Sequence, residues 1–280
     1  MAKVLFVSDL SYQARGRRYC DEDIWLTSRL REHFDVALCH PLDALSLMDG
    51  FDVVVVRNSG PVIHYQEAYD AFRGEALRRG VRVFNQLSGK ADMRGKQYLL
   101  EMFREGLPVI PTVGGGEAVH VLPDVEQYVV KPLLGADSIG MEVLPRDELL
   151  RREPRSGVLV QPLVPFLYEV SFYFVGRVFH YALHAPDPDA RWDLRTYEPT
   201  ADDLAFAQRF VDWNDVEYGI QRVDACRTPG GELLLVELED LNPYLSLDLL
   251  DTVARERFVN GLVLSLNSYA NDPRWDHSGG

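Results

Sequence analysis

Two carboxylates on an otherwise apolar strand set the first constraint on this chain. Residues Leu233 to Val236 read as buried strand and run directly into Glu237-Leu238-Glu239-Asp240-Leu241-Asn242-Pro243. Side chains alternate faces along a strand, so Glu237 and Glu239 project the same way, with Asn242 just beyond the strand end. Upstream, Asp224 lies in Ile220-Gln221-Arg222-Val223-Asp224-Ala225, a second apolar strand-like run, and Thr228-Pro229-Gly230-Gly231 joins the two as a hairpin. Burying unpaired carboxylates costs several kcal/mol, and a hard divalent cation with oxygen ligands is the usual remedy. A solvated strand face is the bland alternative; the apolar flanks weigh against it.

The chain has 280 residues, 46% hydrophobic and 26% charged, enough for two or three small domains with substantial cores. No apolar run approaches a bilayer span, and Met1-Ala2-Lys3 leads into a strand without a signal-peptide pattern, so a cytoplasmic protein with no membrane partner is expected. Cys20, Cys39 and Cys226 show no metal spacing, which makes reduced thiols the default. A net charge of −14 argues against nucleic-acid partners, which draw on clustered Lys and Arg. Of 29 basic residues only Lys3, Lys90, Lys96 and Lys131 are lysines, so each calls for its own explanation.

Along the first part, strands at Val4–Val7, Asp35–Cys39, Asp52–Arg57 and Val81–Asn85 alternate with helices over about 21–33 and 65–79. Short buried strands separated by helices indicate a parallel sheet covered on both faces, a Rossmann-like half-domain. Ser8-Asp9-Leu10-Ser11 follows the first strand where a dinucleotide-binding chain would carry G-x-G-x-x-G. Arg57-Asn58-Ser59 ends a parallel strand, where open α/β sheets bind ligands, and is a candidate substrate contact.

From Lys90 onward the spacing predicts a helix from about Asp92 to Glu105 carrying Lys96, then an extended connector, Leu107 to Thr112. A strand, Tyr128 to Pro132, ends with Lys131 and opens into a loop punctuated by Gly135, Ser138 and Gly140. A lysine at a strand end beside such a loop suits polyphosphate: the ammonium is a point charge, and glycines let backbone N–H groups approach phosphate oxygens. A plain hairpin and an exposed helix lysine are the competing readings, and the downstream carboxylates shift the balance, because ATP arrives with Mg2+ and Mg2+ bridges its phosphates to carboxylates. Strands from 158 to 164 and from 169 to 181, a helix over about 201–213, the acidic hairpin and a helix near 250–270 complete the chain.

This order of elements resembles the ATP-grasp superfamily of carboxylate-amine ligases over nearly all the chain. Lys96 matches the first ATP lysine, with Gly106-Leu107-Pro108 and Pro111-Thr112 resembling its usual continuation, and Lys131-Pro132 with Gly135, Ser138 and Gly140 looks like the second lysine and phosphate loop. Gln161-Pro162-Leu163-Val164 occupies the place of the adenine-binding linker, and Glu169 that of the acid holding the ribose hydroxyls. Arg222-Val223-Asp224 is similar to the Arg-x-Asp of amino-acid ligases, with Asp224 on magnesium and Arg222 facing the transferred phosphoryl group. The last acidic strand departs from the family's Glu-x-Asn: Glu237 is followed by Glu239, and Asn242 lies three further on, so the pair completing the metal site stays open between Glu237 with Glu239 and Glu239 with Asn242. Arg191 and Arg195 sit in a Pro-Asp-rich loop where relatives bind acceptor or phosphate, and are candidate clamps for a substrate carboxylate.

The resemblance implies an α/β and α+β architecture: a Rossmann-like N-terminal domain over 1–88, a small central lid lobe with the phosphate loop over 89–157, and a C-terminal α+β lobe with the metal site over 158–280. It implies ATP and two Mg2+ ions, Mn2+ being able to replace them, and small-molecule carboxylate and amine substrates joined through an acyl phosphate, with ADP and phosphate released. An ATP-binding regulator without turnover and a small-molecule kinase are the alternatives. A homodimer is the default assembly.

Overall fold

The structure is a computed structural model that describes residues 1–14, 17–57, 64–115, 119–134, 140–153 and 155–275. Asn58, Ser59, Gly135 and Ser138, all expected at the site, lie outside the described residues.

The first sheet takes the order β4-β1-β5-β6, from β1 (Lys3–Val7), β4 (Asp35–Cys39), β5 (Val53–Val56) and β6 (Val83–Phe84), with every pair parallel. A two-residue hairpin of β2 (Gln13–Ala14) and β3 (Arg17–Arg18) follows β1. The four valines of β5 are all buried, as a strand covered on both faces requires. On one face α3 (Gln66–Arg79) packs Tyr69, Phe72 and Ala76 against Leu5, Val7, Val54 and Val56, with the short α2 (Ala44–Leu47) beside it. On the other, α1 (Cys20–Leu30) contributes Leu26 and Leu30 to a core containing Val4, Phe6, Val53 and Val55.

The 92–105 segment departs from expectation. It opens with a 3-10 turn at Asp92–Arg94, breaks at Gly95 with φ +83°, and becomes α4 only at Tyr98–Arg104. Lys96 therefore stands in the turn before the helix. A Cβ at residue 95 would lie 3.0 Å from the Leu133 carbonyl oxygen, and the Lys96 N–H donates to that same carbonyl at 2.8 Å, so the break fastens this segment to the strand that carries Lys131.

The second sheet, β7-β10-β8-β9, comprises β7 (Val113–Gly114), β8 (Gln127–Pro132), β9 (Glu142–Pro145) and β10 (Val158–Pro162), with α5 (Arg146–Arg151) beside it. β10, expected to open the C-terminal block at residue 158, instead pairs antiparallel with β8 and completes the central sheet. The third sheet is antiparallel, β13-β12-β11-β14-β15, from β11 (Tyr168–Val175), β12 (Val178–Ala185), β13 (Arg195–Tyr197), β14 (Ile220–Arg227) and β15 (Leu233–Glu239). One face packs Phe172, Phe174, Val223, Ala225, Leu235 and Leu238 against α6 (Ala201–Asn214) and α4. α7 (Thr252–Ala270) places Phe258, Val259, Leu262 and Leu266 in a core shared by β1, β5, β11 and β12, which joins the first and third sheets. No helix among the described residues is long and apolar enough to cross a membrane.

Arg57 takes a different place from the substrate contact expected of it. It is 3% exposed; its Nε donates to Asp23 Oδ1 at 3.0 Å, its Nη1 to the Pro243 carbonyl at 2.7 Å, and its Nη2 reaches Glu22 Oε1 at 3.5 Å. Glu22, pushed up to about 7 by burial with Arg57 opposing, also accepts the backbone N–H groups of Leu245 and Leu247. The arginine is committed to tying the chain after β15 to α1 and β5. Arg57→Ala should destabilise the protein by about 3–5 kcal/mol, the scale for removing one partner of a buried ion pair. Urea unfolding measures this, and an unchanged midpoint would contradict the anchoring role.

Candidate functional site

Strand pairing assembles the charges. In the register of β14 with β15, Arg222 stands opposite Glu239 and Asp224 opposite Glu237, on the face away from α6. The register shifts between Asp224 and Ala225, which pairs with Leu235, so Val236 is the extra residue of a bulge. That bulge lets Leu235 and Leu238 both enter the core while Val236 and Glu237 both line the cavity beside the site.

Arg222 holds the face together. Its Nε donates to Asp224 Oδ1 at 2.8 Å, its Nη2 to Asp224 Oδ2 at 2.8 Å and Glu239 Oε1 at 2.6 Å, and its Nη1 to the Tyr244 carbonyl at 3.0 Å. Ser171 Oγ adds a bond to Asp224 Oδ1 at 2.6 Å. Asp224 is thus committed to Arg222 and Ser171. The carboxylates that converge are those of Asp92, Glu237 and Glu239, with one oxygen from each lying within 4.8 Å of the others. Asn242, half-buried in the chain after β15, follows the strand end. Asp92 was not anticipated from the sequence; its signal is its place four residues before Lys96, which a continuous helix would have turned into an ordinary surface pair.

The three converging groups are crowded and short of solvent. Burial pushes Glu239 up to about 8, with Arg222 opposing and Asp224 and Asp92 adding to the rise; burial raises Asp92 too, with Lys96 opposing. Lys96 is 8% exposed, and its ammonium contacts Glu237 Oε1 and reaches Asp92 Oδ1 at 3.5 Å. A set of three carboxylate oxygens is hard and anionic, the donor chemistry that Mg2+ or Mn2+ takes.

Next to the carboxylates lies a cavity of about 200 Å³ between the second and third sheets. Its walls are apolar, formed by Ile110, Val129, Met141, Val143, Leu163 and Phe166, and its polar groups are Lys96, Lys131, Glu169, Arg191 and Glu237. An apolar lining that also carries cations has the chemistry to take an aromatic base with an anionic chain. Lys131 is pushed down to about 8, first by burial and then by the charges of Lys96 and Arg191. Gln161 also lines the cavity, but its amide donates to Thr112 Oγ1 at 2.8 Å, and the Leu163 N–H donates to the Gln127 carbonyl at 3.0 Å. Gly140 has φ +76° and is exposed just before β9. Arg195 does not join Arg191: it begins an edge strand, is 64% exposed, and pairs with Asp193. A second cavity, about 310 Å³, lies beside Val130, Leu144 and Val160 of the central sheet, away from the carboxylates.

Comparison with solved structures decides the fold. The D-cycloserine synthetase DcsG superposes with a TM-score of 0.74 at 22% identity, over 94% of this chain and 99% of that one. The chain has the ATP-grasp fold. The ATP-grasp ligase PsnB, complexed with precursor peptide PsnA2 and AMPPNP, gives 0.66 at 14% identity over 94% of this chain and 96% of that one. D-alanine–D-alanine ligase from Bacillus anthracis, complexed with ATP, gives 0.65 at 11% identity over 96% and 99%. No protein-family model and no curated protein matches the sequence. Within the ATP-grasp fold the cavity and the carboxylates lie where the second and third sheets face each other.

The depressed pKa of Lys131 has a definite sign. Its folded value of about 8 lies below the ordinary 10.5, so the unfolded chain binds this proton more tightly, and the cost to stability fades as pH rises from 8 towards 10.5. A polyphosphate favours the charged amine, so its affinity should fall as pH rises through 8, and its binding at pH 8 should take up a proton. Calorimetric titration of tripolyphosphate in buffers of different ionisation enthalpy should show uptake at pH 8 that disappears near pH 6 and is absent in Lys131→Arg. Equal uptake in wild type and variant would contradict the assignment.

Proposed function

We propose that this chain is an ATP-dependent ligase that joins a small-molecule carboxylate to an amine through an acyl phosphate, releasing ADP and phosphate. The observation that carries the reading is the convergence of Lys96 and Lys131 on an apolar cavity that abuts the Asp92, Glu237 and Glu239 carboxylates and the Arg222–Asp224 pair. A simple nucleotide binder has no use for an arginine and a second layer of carboxylates beside the phosphate end. DcsG, PsnB and D-alanine–D-alanine ligase are named as synthetase or ligases, which agrees with this reading. The lobes would divide as a Rossmann-like unit over 1–88, a central lobe from 89 that includes β10, and a C-terminal lobe beyond it.

In this reading the base occupies the slot walled by Val129, Val143, Leu163 and Phe166, and Glu169 accepts from the ribose hydroxyls. Lys131 and Lys96 neutralise phosphate oxygens, and Lys96 exchanges Glu237 for the nucleotide as it does so. Glu237 and Glu239, with Asp92 and Asp224 beside them, would hold Mg2+, which supplies charge withdrawal from the phosphates. Arg222, fixed by Asp224 and the Tyr244 carbonyl, faces the charge that develops as the substrate carboxylate oxygen bonds to the γ-phosphorus and the bond to ADP breaks. The amine nitrogen then bonds to the acyl carbon, phosphate leaves with the C–O bonding pair, and the amine proton passes to solvent or phosphate.

A coupled assay of ADP release across pairs of acids and amines tests the reading. Release that requires both partners is expected; release with one partner and a stable phosphorylated product would make the protein a kinase, and no release with any pair would make it a regulator. Glu237→Gln and Arg222→Ala should each lower turnover by about 10²–10³, the usual scale for one transition-state contact. Normal turnover in either variant would place the chemistry elsewhere.

A further inference from the structure

Arg191 was expected to clamp a substrate carboxylate together with Arg195, and its surroundings give it another task. Glu169 stands near the start of β11, opposite Ala185 at the end of β12. Beyond Ala185 the chain turns through a short 3-10 segment, Pro188–Ala190, in which the Asp187 carboxylate accepts the Asp189 N–H at 2.9 Å. This turn returns Arg191 to Glu169 as a two-pronged pair, Nε to Oε2 at 2.7 Å and Nη2 to Oε1 at 2.6 Å. Both residues line the cavity with Lys131, whose ammonium senses the Arg191 charge. Arg195, the would-be second jaw, faces solvent.

A parallel fork fixes the plane of a carboxylate and leaves each oxygen with lone pairs to accept from hydroxyl donors. We propose that Arg191 is a positioning residue of the nucleotide site, acting through Glu169 to present its carboxylate to the vicinal diol of a ribose, and is not a clamp for the carboxylate substrate. This inference rests on the cavity being a nucleotide site. It also explains how a carboxylate is accommodated in the lining of a cavity proposed to hold an anionic ligand: the arginine cancels its charge while leaving its acceptor capacity intact.

Calorimetric binding of Mg-ADP and of Mg-2′,3′-dideoxy-ADP to the full chain separates the two roles without requiring turnover. Wild type should prefer the ribose nucleotide. Arg191→Ala and Glu169→Gln should each weaken Mg-ADP by about tenfold or more, the scale of a charge-assisted hydrogen bond. Both should lose the preference for the diol, and the double variant should bind no more weakly than Glu169→Gln alone. Arg191→Lys, which keeps the charge without the fork, should recover part of the affinity and little of the preference; it also serves as the test if the alanine variant fails to fold. An Arg191 variant that keeps the full diol preference overturns this inference alone. Wild-type protein that binds neither nucleotide overturns the nucleotide reading and this inference with it.

Discussion

The pairing of β14 with β15 is the constraint on which the rest of the site depends. It places Arg222 against Glu239 and Asp224 against Glu237 on one face of a sheet whose other face is packed core. With Asp92 and Lys96 added, four carboxylates meet two cations in a half-buried cluster. Such a set is unbalanced as long as all its members are ionised: burial pushes Glu239 up first, and the Asp224 and Asp92 carboxylates add to the rise against Arg222. A divalent cation would relieve it without changing any side chain. A bound proton relieves it only in part.

The segment bearing Asp92 and Lys96 is held from two directions, which makes the geometry of the cluster a property of the fold. Asp240, fully buried, accepts the N–H groups of Ala91 at 3.1 Å and Met93 at 2.8 Å and takes a further bond from Asn214. The same residue follows Glu239 directly, so the turn that presents Asp92 is fastened to the end of the acidic strand. At its other end the Lys96 N–H is bound to Leu133, just past the strand of Lys131. Movement of the central sheet relative to the third sheet would therefore be felt at Lys96, which lines the cavity with Lys131 and contacts the carboxylates.

Much of this was legible from residue pattern. Continuous apolar runs such as Val53–Val56 identified buried parallel strands, and strand alternation put Glu237 and Glu239 on one face of an apolar hairpin with Asp224 on its other strand, while Arg222 came in through the Arg-x-Asp resemblance. What pattern could not supply was the local break in each element. Gly95 interrupts a helix that periodicity runs straight through, and the interruption is what brings Asp92 to the carboxylates. The bulge at Val236 is equally silent in sequence, because a bulged strand keeps its apolar character. Arg57 was misplaced for a different reason: position at a parallel strand end favours ligand contact, but its counter-charges, Glu22 and Asp23, come from a helix earlier in the chain, and only the folded structure brings them within reach. Arg191 and Arg195, close in sequence, part company because one follows a tight turn and the other enters an edge strand.

The carboxylate face and the lysine-lined cavity adjoin, so a cation and a nucleotide bound there would be in contact. Electron paramagnetic resonance of Mn2+ with ADP tests it most directly, through phosphorus hyperfine coupling on the bound ion. Wild-type protein is expected to hold Mn2+ with coupling to nucleotide phosphorus, and a Glu237→Gln, Glu239→Gln double variant to lose the bound-ion signal while keeping its fold. Mn2+ bound by wild type without phosphorus coupling, or bound equally by the double variant, would contradict it.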